Sequence, residues 1–243
     1  TPDDVAKSMY TFTGMDDMSA DTYTGMIIAL TRALTSNDIT EIYYAKTAAE
    51  NLCEWFVSPD MTMAQKLALD ALVTALMIKL REPLEIGDSE SFSSSHYRVI
   101  VRRVIPDPSD YEISFDFRPA RSVPLVDRVV VSVDRKNLAS IADPSIYAQV
   151  SSIAYPINSY EKKCDSEMVS PSVSVQLFSL SQSEIVLPPV VNSPLFNSQI
   201  TPSELLNSTS YTYACRFFDS KKNTWRKDQQ VCQTQIGEVY DES

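Results

Sequence analysis

The chain has little glycine and almost no histidine: 4 glycines and 1 histidine in 243 residues. With so few glycines there is no Gly-rich phosphate loop and no dinucleotide-binding turn, so a nucleotide fold would lack its usual phosphate cradle. Turns must instead use the 14 prolines together with Asn, Asp and Ser. A lone histidine, His96, cannot make a zinc site without cysteines or carboxylates at ligand spacing, and none has it. The sequence places His96 at the surface or at a strand edge. Ser/His/Asp catalysis would need that same histidine, and no G-x-S-x-G elbow is present. The carboxylate pairs Asp3-Asp4 and Asp16-Asp17 sit in a polar N-terminal stretch and read as a solvated tail, not as an acid/base pair. EF-hand spacing is also missing. No motif implies a cofactor.

Long apolar runs are lacking too. None approaches the ~20 residues a membrane helix needs. The start, TPDDVAKSMY, has neither the charged nor the apolar region of a signal peptide, as expected of a mature or trimmed piece of a longer protein. Positive charge is outweighed: the net charge is −11 and the pI about 4.6. Such a surface repels nucleic-acid backbones and anionic membrane faces, so neither is expected as a partner.

The first third of the chain is helical in pattern. Asp21 is positioned to cap a helix with Tyr23, Met26, Ile27, Leu30 and Leu34 on one face. TSND at 35–38 breaks it. Asp38 and Glu41 have capping-box spacing and open a second helix, striped by Ile42, Ala45, Ala49, Leu52 and Phe56. Ser58-Pro59 ends it. Thr62 and Gln65 again have capping-box spacing. They begin a third helix with Leu67, Ala71, Leu72, Ala75, Leu76 and Leu80 as its apolar stripe, stopped by Pro83. Cys53, inside the second helix, reads as a buried thiol. The polar, serine-rich stretch 84–95 marks the boundary between a helical subdomain (1–83) and a β subdomain (84–243).

From residue 96 the apolar period changes from 3.6 to 2. Strands are expected at 97–105, 111–117, 125–133, 146–155, 172–180 and 184–191, with Pro188 and Pro189 demoting the last to an edge or strand end. Arg98, Arg102 and Arg103 read as a solvated strand face. Short strands split by turns, with no helices between them, predict an α+β fold: a helical subdomain packed on an antiparallel β-sandwich. Cys164 lies in a polar loop.

Residues 211–232, YTYACRFFDSKKNTWRKDQQVC, stand apart. Tyr211, Tyr213, Cys215 and Phe217 alternate as in a half-buried strand, Lys221, Lys222 and Asn223 form a polar turn, and Trp225 begins the return. The pattern Cys215-Arg-Phe217-Phe218, then Trp225, then Cys232 resembles the first half of a GPS motif, the C-terminal piece of a GAIN domain. The order of helices first and strands later is similar to that family's layout. SVSVQLFSLSQSEIVLPP resembles the segment that precedes the motif in the polycystin/REJ branch.

The resemblance implies an extracellular or cell-surface module, on a ciliary membrane in the polycystin branch. It would stand close to the membrane and have a structural or adhesive role. It implies disulfides at Cys215 and Cys232, with each other or with cysteines beyond the C-terminus, and a motif core of Phe217, Phe218 and Trp225. Its partner would be a protein: its own C-terminal fragment, or a channel or receptor region. Asn207-Ser208-Thr209 is a glycosylation sequon that fits this setting. Members of the family often cut themselves at His-Leu-Thr or His-Leu-Ser, where a hydroxyl attacks the preceding carbonyl with a histidine as base. Here the chain continues QTQIGEVYDES with no histidine after position 96 and none near Thr234. The expectation is therefore no enzymatic activity by that route. A secreted adhesive β-sandwich unrelated to GAIN is the other reading.

Overall fold

A computed structural model describes residues 19–54, 61–94, 96–106, 112–118, 126–134, 138, 141–153, 172–186, 197–202, 217–219 and 224–226. Three helices precede a set of antiparallel strands. Helix α1 (Ala20–Ala33) is capped by Ser19, whose Oγ accepts from the Thr22 N–H at 3.2 Å. Asp21 is not the cap; it lies in the first turn, where its charge faces the positive helix end. In α2 (Ile39–Cys53) the Asp38 carboxylate caps by accepting from Thr40 N at 2.8 Å. This helix ends at Cys53, and Phe56 lies outside the described residues. Helix α3 (Met63–Arg81) begins with the full capping box: Thr62 Oγ1 accepts from Gln65 N at 3.3 Å, and Gln65 Oε1 accepts from Thr62 N at 2.9 Å. Gln65 Nε2 also donates to Thr24 Oγ1, joining the start of α3 to α1.

The buried face of α3 differs from the expected stripe. Leu69, Leu72, Val73, Leu76, Met77 and Leu80 are buried, whereas Leu67 is 53% exposed and Ala71 is exposed. The helix reads MAQKLALDALVTALMIKLR, with apolar residues around most of its circumference. Periodicity alone therefore leaves the phase of its stripe open, and packing against α1, α2 and the sheet sets it.

The strands form a four-stranded sheet, β1 (Ser89–Ser93), β2 (Tyr97–Val104), β5 (Ile146–Ile153) and β6 (Ser172–Phe178), in the order β1-β2-β5-β6. A three-stranded sheet has β3 (Glu112–Phe117), β4 (Val126–Asp134) and β7 (Asn197–Pro202) in the order β3-β4-β7. All pairings are antiparallel. The four-stranded sheet is the middle layer. On one face Phe92, Tyr97, Val99, Val101 and Tyr147 join the helix core with Leu30, Leu52, Leu72 and Leu76. On the other, Val104, Ile146, Ala148, Val150 and Leu177 share a core with Ile113, Phe115, Phe117, Val129, Val131 and Val133 of the second sheet. Period-2 alternation along β2 and β5 feeds both cores at once.

Two strands went unread in the sequence. β1 lies in the serine-rich stretch 84–95. Only its Phe92 is strongly apolar, yet that ring is fully buried, and pairing with β2 from Ser89↔Arg102 to Ser93↔Arg98 makes the segment an edge strand. β7 is NSQITP, equally polar in pattern. Of the run 184–191, the described part contributes a single bridge, Phe178↔Glu184; residues 187–191 lie outside the described residues. Before β1, Gly87 takes φ 94°, in the left-handed region that suits glycine, and its N–H donates to Arg103 O at 2.9 Å.

Candidate functional site

The terminal motif forms a ribbon of its own. β8 (Phe217–Asp219) pairs with β9 (Thr224–Arg226), with Phe218 opposite Trp225 and Phe217 opposite Arg226. Among the described residues the ribbon pairs with neither larger sheet. The expected hairpin is present, and its described residues extend neither wall of the sandwich. Cys215, Cys232 and Asn207 lie outside the described residues, as do Cys164, Lys221, Lys222, Asn223 and Thr234. The structure therefore brings together three of the sequence-predicted site residues: Phe217, Phe218 and Trp225.

A second concentration of chemistry lies between the helices and the edge hairpin β1–β2. Glu90 on β1 accepts from Lys46 Nζ at 2.8 Å and from the Tyr43 hydroxyl at 2.7 Å. Both members of the ion pair are mostly buried, with side chains 15% and 16% exposed. Burial pushes the Glu90 carboxyl up, but Lys46, the Ser91 N–H and Tyr43 outweigh it and hold it below its ordinary value. Glu50 Oε1 accepts from Ser93 N at 2.8 Å, and burial raises this carboxyl. Asp70 Oδ1 accepts from the Tyr97 hydroxyl at 3.0 Å; burial raises it as well, against the pull of that hydrogen bond. These acids clamp α2 and α3 to the sheet.

His96 belongs to this junction and corrects the surface reading: it is only 7% exposed. The β1–β2 turn draws it in. Ser94 Oγ accepts from the backbone N–H of both His96 and Tyr97, at 3.2 and 3.0 Å, so serine does the tightening where glycine is missing. Burial lowers the His96 pKa, with Glu54 acting the other way. Cys53 is a free, fully buried thiol as expected, and burial raises it well above its ordinary value. Such a thiol is a small core residue and a poor nucleophile.

The three arginines of β2 are not a solvated face. Arg103 donates to Leu84 O at 2.8 Å and to Ser145 Oγ at 3.2 Å. The Arg102 guanidinium lies 5.3 Å from the centre of the Phe115 ring, and Arg98 donates to Ser93 Oγ at 2.7 Å. Arg98 and Arg102 share one face of the strand and Arg103 takes the other, in a sheet with a core on each side, which a single-strand reading could not show.

Arg81, in the last turn of α3, had no signal in the sequence; at that position an arginine normally faces solvent and complements the helix dipole. Here it is 1% exposed. Its guanidinium lies 3.7 Å from the Phe178 ring centre and 5.9 Å from that of Tyr147, which Arg103 approaches at the same distance. Nε donates to Gln182 Oε1, while Nη2 is buried with no acceptor among the described residues. Burial pulls its pKa down to about 10.

Elsewhere, Ile27, Ile28, Thr31, Arg32, Ala68, Ala71 and Leu72 line an apolar groove of about 460 Å³ between α1 and α3. Among the described residues, no group of three or more His, Cys, Asp or Glu could hold a metal ion, and no helix is long and apolar enough to cross a membrane. No known family model matches the chain, and no curated protein is significantly similar to it.

Proposed function

We propose that this chain is an extracellular, membrane-proximal structural module resembling a GAIN domain of the polycystin/REJ type. It serves without catalysis, presenting a stalk at the cell surface and holding a C-terminal strand or a protein partner non-covalently. The observation that carries the reading is the order of the layers, helices on a β-sandwich, followed by a ribbon that sets Phe218 against Trp225. A strand held on such a body by apolar burial, at ~25 cal/mol per Å², would be gripped by several kcal/mol and still be releasable under force.

One observation favours the second reading, a secreted adhesive β-sandwich that binds through its loops. The ribbon pairs with neither sheet among the described residues, and over those residues its backbone pairing marks no slot for a further strand.

Secretion of the chain from eukaryotic cells, followed by peptide mapping without reduction, tests the proposal. The GAIN-like reading predicts Cys215 and Cys232 in disulfides, Asn207 glycosylated and Cys53 still a thiol. Secreted protein with both Cys215 and Cys232 reduced would overturn it.

A further inference from the structure

The edge of a guanidinium formed by Nε and Nη2 matches the two oxygens of a carboxylate. Arg128 shows the fit in this molecule: Nε donates to Asp116 Oδ1 at 2.8 Å and Nη2 to Oδ2 at 2.6 Å. Arg81 presents the same edge, but buried and half filled. Gln182 supplies one oxygen, to Nε, and among the described residues Nη2 has none. A buried charged donor without an acceptor is uncommon enough to require a reason.

We propose that Arg81 is the receptor for a carboxylate ligand, which displaces the Gln182 side chain and takes both Nε and Nη2. The surroundings suit that role. The Phe178 and Tyr147 rings beside the guanidinium are apolar and strengthen a charge pair by excluding water. Arg103 adds a second positive charge next to Tyr147, its own donors engaged by Leu84 and Ser145. Gln182 comes from a surface turn, residues 179–183, in which Leu180 is 40% exposed and Ser181 and Ser183 are exposed. The turn is closed by Ser179 N to Ser183 O at 2.9 Å and Gln182 N to Ser179 O at 3.0 Å. Gln182 holds φ 66°, a conformation disfavoured for a residue with a side chain, so the arrangement that plugs the site carries a conformational cost. The ligand class is a carboxylate, borne by a small organic acid or by a polypeptide terminus.

Thermal unfolding of the full chain in sodium acetate, against sodium chloride at matched ionic strength, tests this. Acetate should raise the Tm of the wild type and of Gln182→Ala, by mass action on the folded state. Gln182→Glu carries its own carboxylate to Arg81 and should lose the acetate-specific shift, as should Arg81→Met. If Arg81→Met fails to fold, Gln182→Glu decides. A peptide with a free C-terminal carboxylate, run against its amide, separates the sources: a shift with the free acid assigns a chain end, and a shift with acetate alone assigns a small acid. No shift in the wild type, or equal shifts in all variants, would overturn the proposal.

Discussion

Asp70, Glu50 and Glu90 join the helices to the same edge hairpin, yet they respond to acid in opposite directions. Asp70 and Glu50 have raised pKa values, chiefly through burial. A carboxyl raised on folding binds protons more readily in the folded state, so its contribution to stability grows as pH falls through its folded value. Glu90 is lowered, so its contribution is present above the unfolded value of about 4.3 and is lost as pH falls through the folded one. His96, lowered by burial, loses stability as pH falls through its unfolded value of about 6.5. Asp70→Asn isolates one group. It keeps an acceptor for the Tyr97 hydroxyl and removes the buried charge, so the variant should be more stable than the wild type at pH 7. Urea unfolding at stepped pH should show that gap closing as acid protonates Asp70 in the wild type. A gap that widens on acidification would contradict the assignment. None of this was legible in the sequence. Asp70 and His96 look like surface residues until α3 packs against the sheet at Tyr97 and the β1–β2 turn draws His96 in.

At the level of elements, local signals were readable wherever one residue type decides the conformation. The Thr62/Gln65 box opens α3, Asp38 opens α2, clean alternation marks β3, and apolar, β-branched runs mark β2, β4 and β5. Polar edge elements were not readable, because pairing with a neighbour holds them, not their own composition. β1 is the clear case: a serine-rich strand retained by five pairings and one buried ring. Phe92→Ala should therefore cost about 3–5 kcal/mol in chemical denaturation. Hydrogen exchange should show β1 amides losing protection before those of β5. A loss below about 1 kcal/mol, with β1 still protected, would show that pairing alone holds the strand. The stripe of α3 failed for a different reason: a helix apolar on most sides has no preferred phase until its neighbours arrive.

At the scale of the molecule, the order of helices before antiparallel strands was legible, since the apolar period changes once, near residue 96. What periodicity could not reveal is that one sheet serves two cores. That arrangement makes β2 and β5 the shared wall of the helical layer and the sandwich. The ribbon at the far end remains the least legible part of the chain. Its pairing followed from alternation and a polar turn, but its place relative to the sheets did not. The shared sheet is tested most directly by native-state hydrogen exchange across a denaturant series. Amides of α3, β2 and β5 should open in one common transition with a single free energy. Opening of α3 at markedly lower denaturant, with β2 and β5 still fully protected, would mean that the helices are an appended layer and not half of one cooperative body.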